Sequence, residues 1–187
     1  MASAAPVEFL ELAARLRELQ EAFSGSAPSR EAISEAAALI SEATAWLQKW
    51  PADEAGQFSG SFREIPGRGQ VLGPPYVIDE SDGVSMRGRV TFGRYYLGRN
   101  GAVHGGALAL FWEALLGSVG SRVRPGRAAY LHAYYRAVTP IDRELTFEVR
   151  LVREEGRKLF IAGRLFDGEI LCTEAESLVL TLLPGQP

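Results

Sequence analysis

Between Arg99 and Arg122 the chain carries one charged side chain, Glu113, in a run that is otherwise almost entirely small or apolar: "NGAVHGGALALFWEALLG", residues 100–117. A stretch this long, apolar nearly all round, is expected to form a buried core helix from Gly105 to about Val123. At about 100° per residue, Leu108, Phe111, Trp112, Leu115 and Val119 gather on one side. Gly105, Gly106, Ala109, Glu113, Gly117 and Gly120 gather on the other. The carboxylate therefore falls on the face with the smallest side chains, where there is room for something other than protein. A glycine inside a helix costs up to about 1 kcal/mol relative to alanine. Four glycines on one face call for a reason, either close packing of another backbone or access for a ligand.

A buried glutamate is rare unless it is paired, so Glu113 is either structural or functional. The start of the helix adds to the functional reading. "HGG" stands where the helix begins, and Gly105 and Gly106 have no side chains to shield their amides. The first amides of a helix lack internal partners and carry the positive end of its dipole. Such donors can polarise a carbonyl oxygen and stabilise the oxyanion formed when that carbonyl is attacked. His104 is expected to orient this turn or a ligand, and His132, in an alternating strand, to be structural. Two distant histidines and one cysteine make no metal set. "GSVGS" lacks the nucleophile-elbow pattern, and neither a phosphate-binding loop nor a dinucleotide fingerprint is present, although "GRGQVLG" is Gly-rich.

The rest of the chain sets the frame. At 187 residues, 47% hydrophobic and 23% charged, it suits one globular domain with an appendage. A net charge of -3 leaves no basic footprint for nucleic acid. The single Cys172 excludes an internal disulfide and fits a reducing, cytoplasmic setting. Glu8 and Glu11 come too early for a signal peptide, and no uncharged apolar run reaches the roughly 20 residues of a membrane span. Residues 1–50 are expected to form two helices. The first would bury Phe9, Leu12, Ala13, Leu16, Leu19 and Phe23, with an outward Glu11–Arg15 pair; the second would bury Ile33, Ala37, Ile40 and Leu47 and stop at Pro51. This amphipathic hairpin is expected to pack on the main domain or on a partner subunit. A linker over 51–69 then leads to a domain over 70–187. Its order is strand, strand, long helix and four strands in a meander, an α+β layer arrangement in which "REEGRK" and "FDGE" are hairpin turns.

"GAVHGGALALFWEALLG", followed by "YLHAYYRAVTP" and the hairpin around "EEGRK", resembles the hotdog-fold acyl-CoA thioesterases of the phenylacetate-pathway type over about residues 70–182. The resemblance implies a long helix wrapped by an antiparallel sheet, and homodimers or dimers of dimers with active sites between subunits. It implies that Glu113, nine positions after His104, is the general base or nucleophile of thioester hydrolysis. The Gly105 amide would then lie in the oxyanion hole of a partner chain, with His104 supporting the turn. Asn100, Gly106 and Tyr130 are further candidate substrate contacts. Arg136, Arg157 and Lys158 are candidates for the phosphates of coenzyme A, from strand ends and hairpins expected to rim the cleft. No metal and no cofactor beyond the substrate's own coenzyme A is expected, and no nucleic-acid or membrane partner. Glu replaces the family's usual Asp, and Gly98 stands where members often carry Asn. These departures keep open a non-catalytic module that binds an acyl thioester or lipid-like ligand; an enoyl-CoA hydratase is a weaker third reading, because the helix does not show the Asp and His pair those enzymes usually need.

Overall fold

The computed structural model describes residues 6–62, 65–183 and 185–186; residues 1–5 of the expected extension, 63–64 of the expected linker, and 184 and 187 lie outside the described residues. Helices α1 (Val7–Gly25) and α2 (Arg30–Leu47) come first. Strands β1 (Val77–Ser81), β2 (Ser85–Thr91), β3 (Leu97–Arg99) and β4 (Ala102–Val103) lead to helix α3 (Gly105–Val123). Strands β5 (Gly126–Tyr135), β6 (Glu144–Glu155), β7 (Lys158–Asp167) and β8 (Ile170–Thr181) follow. Six of the strands make one antiparallel sheet in the order β1-β2-β6-β7-β8-β5, and α3 packs on it. This is the hotdog arrangement expected from the sequence.

Alternation builds the sheet. Leu145, Phe147 and Val149 on β6, and Leu159, Ile161 and Leu165 on β7, point at α3 and are buried. At the centre Trp112 lies against β7 so closely that a Cβ on Gly163 would sit 2.4 Å from the indole ring. The Trp112 Nε1–H donates to Thr173 Oγ1 at 3.4 Å, which satisfies the one polar atom this ring takes into the core. Gly156 and Gly168, both at φ 58°, close the two expected hairpin turns.

Three features differ from the sequence expectation. Only β6, β7 and β8 form a meander. β5 crosses to the far edge and pairs with β8, because periodicity identifies a strand without naming its neighbours. A small hairpin, β3–β4, precedes α3, and Asn100-Gly101 turns it at φ 53° and 74°. Finally, α3 is not buried all round. Its core side holds Leu108, Phe111, Trp112, Leu115, Leu116 and Val119, while Gly106, Leu110, Glu113 and Ser121 are exposed.

The N-terminal helices differ from expectation more sharply. The Glu11–Arg15 pair forms at 3.6 Å. However, α1 docks through Phe9, Ala13, Arg17, Gln20 and Glu21, and its Leu12, Leu16, Leu19 and Phe23 stripe faces outward. Ser29 caps α2 by accepting from the Ala32 N–H, but the helix ends at Leu47, before Pro51, and buries no side chain. Phe58 and Phe62, within the expected linker, pack on Phe9 with ring centroids 5.4 and 5.8 Å from it.

Candidate functional site

The exposed face of α3 is one wall of a cavity of about 420 Å³, and Glu113 projects into it beside Leu110, Ala114, Gly117, Ser118 and Ser121. The opposite wall is Arg68 of the 3-10 turn Pro66–Gly69 and the irregular segment after it, with Gln70, Leu72, Pro74 and Tyr76. Among the described residues Glu113 makes no ion pair and no hydrogen bond, so its carboxylate is held by the helix alone. Burial pushes the Tyr76 phenol above its ordinary value; Arg68 and Arg122 oppose this, and Glu113 adds to it.

The glycines of α3 have different reasons to be glycine. A Cβ on Gly120 would press on Val179 and Ile161 at 3.1 and 3.2 Å, and one on Gly105 would come 3.2 Å from the Tyr135 hydroxyl. These two allow close packing. Gly117 has nothing within 4 Å and faces the cavity. The carboxylate side of the helix thus combines close contact at its ends with open space in the middle.

At the helix start His104 is the N-cap residue, and its Nδ1 accepts from the Gly106 N–H at 3.0 Å. Acting as acceptor, Nδ1 leaves the ring proton on Nε2. The Gly106 amide is therefore satisfied within the turn, so it is not free for a ligand as expected. Gly105 is the first helical residue, and among the described residues its N–H has no acceptor. Its carbonyl accepts from Tyr135 Oη at 3.1 Å, which ties the end of β5 to the helix start. Glu113 lies eight residues along, about 12 Å down the axis at 1.5 Å per residue. One chain does not bring the carboxylate and the free amide together.

The other candidates are spread further. Asn100 is exposed in the turn of the β3–β4 hairpin, where its positive φ accounts for it. Tyr130 stacks on His132 at 4.5 Å, on the face of β5 turned away from α3. Arg136 pairs with Glu174 at 2.7 Å near the start of α3. Arg157 donates to the Thr181 carbonyl at 2.9 Å, and Lys158 begins β7, at the opposite end of α3 where Arg124 reaches Glu154. The three basic residues thus do not rim one cleft within a chain, because α3 separates them by roughly its whole length, about 28 Å. Arg68 and Arg127 do line the Glu113 cavity and were missed; the only signal was the "GRG" in a segment read as linker. A larger recess of about 660 Å³ lies on the outer face of the sheet. Within it Arg164 stands 3.8 Å from both Glu148 and Glu174, and the sheet separates the recess from Glu113. Among the described residues there is no cluster of three metal-ligating side chains and no helix long and apolar enough to cross a membrane.

No family model matches the chain. It is 31% identical over 136 residues to acyl-coenzyme A thioesterase THEM4 of Mus musculus, a match covering 72% of this chain and 57% of that protein. The chain thus spans little more than half the length of that relative. A thioesterase superfamily protein of known crystal structure superposes with a TM-score of 0.81 at 25% identity, over 95% of this chain and 97% of its own. That coverage extends over the N-terminal helices. A phenylacetic acid degradation-related protein of Ralstonia eutropha JMP134 shares the fold at TM-score 0.52 and 18% identity, covering 57% of this chain and 84% of its own. A thioesterase of Streptococcus pneumoniae TIGR4, solved with coenzyme A, does so at 0.53 and 16%, covering 57% and 85%.

Proposed function

We propose that this chain, which belongs to the hotdog-fold thioesterase superfamily, hydrolyses acyl-CoA thioesters to the free acid and coenzyme A. The observation that carries the reading is Glu113: a carboxylate with no partner among the described residues, on the open face of an otherwise apolar helix, beside a cavity. Glu113 takes a proton from a water molecule as the oxygen attacks the thioester carbonyl, or attacks that carbon itself. The carbonyl oxygen gains negative charge and accepts from the Gly105 N–H of a second copy. The tetrahedral intermediate then collapses and the C–S bond breaks: on the base route the departing coenzyme A thiolate takes the proton that Glu113 holds, and on the nucleophilic route water hydrolyses the acyl–Glu113 anhydride to the free acid, regenerating the carboxylate and supplying the thiol's proton. His104 holds the turn that aims Gly105.

The second copy is required because Glu113 and Gly105 do not meet within one chain. β5 supports its placement: it is an edge strand ten residues long and open on one side, a template for pairing with the same strand of another molecule. Coenzyme A itself, as bound by the Streptococcus pneumoniae relative, carries phosphates for which Arg68 and Arg127, which line the Glu113 cavity, are the first cations to test, with Arg136, Arg157 and Lys158 as the more distant ones. Asn100 and Tyr130 are the weaker contacts, since the turn and the His132 stack already account for them.

The test is hydrolysis of short, long, branched and aromatic acyl-CoAs, followed as release of the coenzyme A thiol. Glu113→Gln should fold and lose roughly 100-fold or more in kcat/KM, the range of a lost general base. Hydrolysis by that variant at the wild-type rate would refute the role of Glu113. Saturable binding without turnover by the wild type would leave a binding protein instead.

A further inference from the structure

The wall of the cavity opposite Glu113 has no secondary structure of its own. Residues 70–74 belong to no strand or helix, and the carbonyls of Gln70, Val71 and Gly73 find donors on α1. Arg17 Nη1 donates to the Gly73 carbonyl at 3.0 Å, and Arg17 Nη2 donates to that of Gln70. Gln20 Nε2 donates to the Val71 carbonyl at 3.1 Å. The buried Tyr96 hydroxyl donates to Gly73 O at 2.7 Å and accepts from Arg17 at 3.4 Å. The backbone below is shaped for this docking. A Cβ on Gly67 would lie 2.9 Å from Arg17 Nη2, and one on Gly69 would lie 2.8 Å from the Phe9 ring. Both glycines have positive φ, 60° and 71°, so a side chain there would be strained as well as crowded.

We infer that helix α1 is part of the substrate site: Arg17 is a positioning residue that, by tying the Gln70 and Gly73 carbonyls, fixes the 70–76 segment as the wall facing Glu113 and so sets which apolar acyl groups reach it. The inference rests on the thioesterase reading for the chemistry at Glu113, but the shape of the wall does not depend on turnover. Leu72, Pro74 and Tyr76 give the wall its apolar surface; Tyr76 is anchored in the core against Phe111 and Phe147, whereas Leu72 and Pro74 flank the Gly73 carbonyl that Arg17 holds. Arg17 suits this task because its planar guanidinium presents several donors in a fixed fork and can span two carbonyls. A lysine, a single point of charge, can hold one. Arg17 touches no reacting atom; it acts through the segment it holds.

The experiment compares wild type, Arg17→Leu and Arg17→Lys over an acyl-CoA series from acetyl to palmitoyl, with melting curves and titration-calorimetric binding alongside. Arg17→Leu should raise KM for the best wild-type substrate by about tenfold with kcat little changed, the mark of lost positioning rather than lost chemistry. It should flatten the dependence on acyl length, while acetyl-CoA, too short to reach the wall, reacts as before. Arg17→Lys should restore part of the length preference. If Arg17→Leu does not fold, Gln20→Leu, which removes only the Val71 tie, should shift the preference in the same direction. A folded Arg17→Leu protein with an unchanged length profile overturns the inference and leaves the thioesterase reading intact. If wild type binds acyl-CoA without hydrolysing it, the thioesterase reading falls and the same comparison is made on Kd. A wild type that neither binds nor hydrolyses any of the series overturns both.

Discussion

At the scale of single residues, space around a glycine decides what it is for. Gly117 and Gly163 look alike in the sequence, yet one faces a cavity and the other lies under Trp112. Replacing Gly117 by alanine adds a methyl group to open space and removes a helix-interior glycine. It should raise stability by about 1 kcal/mol. Gly163→Ala forces a Cβ into the indole ring of a fully buried Trp112 and should lower stability by about 1–3 kcal/mol. Denaturant melts of the two variants check the pair. Equal effects of the same sign would mean that the cavity at Gly117 is filled. The lone carboxylate follows the same rule: Glu113 is compatible with an apolar helix because its face is open, and among the described residues no buried partner neutralises it.

At the scale of elements, the stabilising contacts are unevenly shared. α3 buries eight residues, α1 one and α2 none. An 18-residue helix without packing is marginal in water, since most helical stability in proteins comes from a buried face. Amide exchange followed by mass spectrometry should therefore rank protection α3 above α1 above α2. Protection of α2 equal to that of α3 would show that another surface covers Ile33, Leu39, Ile40 and Trp46, which stand exposed in the single chain. The elements also show which parts of the fold could be read in advance. α3 was legible from end to end, because its apolar content is continuous and His104-Gly105-Gly106 marks its start. β6 and β7 were legible through strict alternation. The docked face of α1 was not: periodicity picked out the leucine stripe, whereas docking is governed by the unsatisfied carbonyls of residues 70–73, which need Arg17 and Gln20. Hydrogen bonds between positions 51 to 56 residues apart leave no period in a sequence. For the same reason Glu113 could be singled out from the chain, while the wall opposite it could not.

At the scale of the whole molecule, the proposed division of the site between two copies has a consequence that no single-chain mechanism shares. Gly105→Pro removes the proposed oxyanion donor at a position chosen to spare the helix. Proline is tolerated at the first helical residue, and the preceding His104 already has the extended backbone, φ -61° and ψ 131°, that a following proline demands. Glu113→Gln removes the proposed base. Each variant alone should be nearly inactive, because every site lacks one half. When the two are unfolded together and refolded at equal amounts, half of the dimers are hybrids, and each hybrid pairs one intact Glu113 with one intact Gly105 amide across the interface. Activity should return to about one-quarter of the wild-type level in the mixture, as two-fold symmetry requires. If both groups served one site within a chain, no combination of defective chains would contain an intact set, and the mixture would stay as inactive as its parts. Recovery measured against the ratio of the two chains should peak at equality and fall away on either side, a profile set by the division of the site alone.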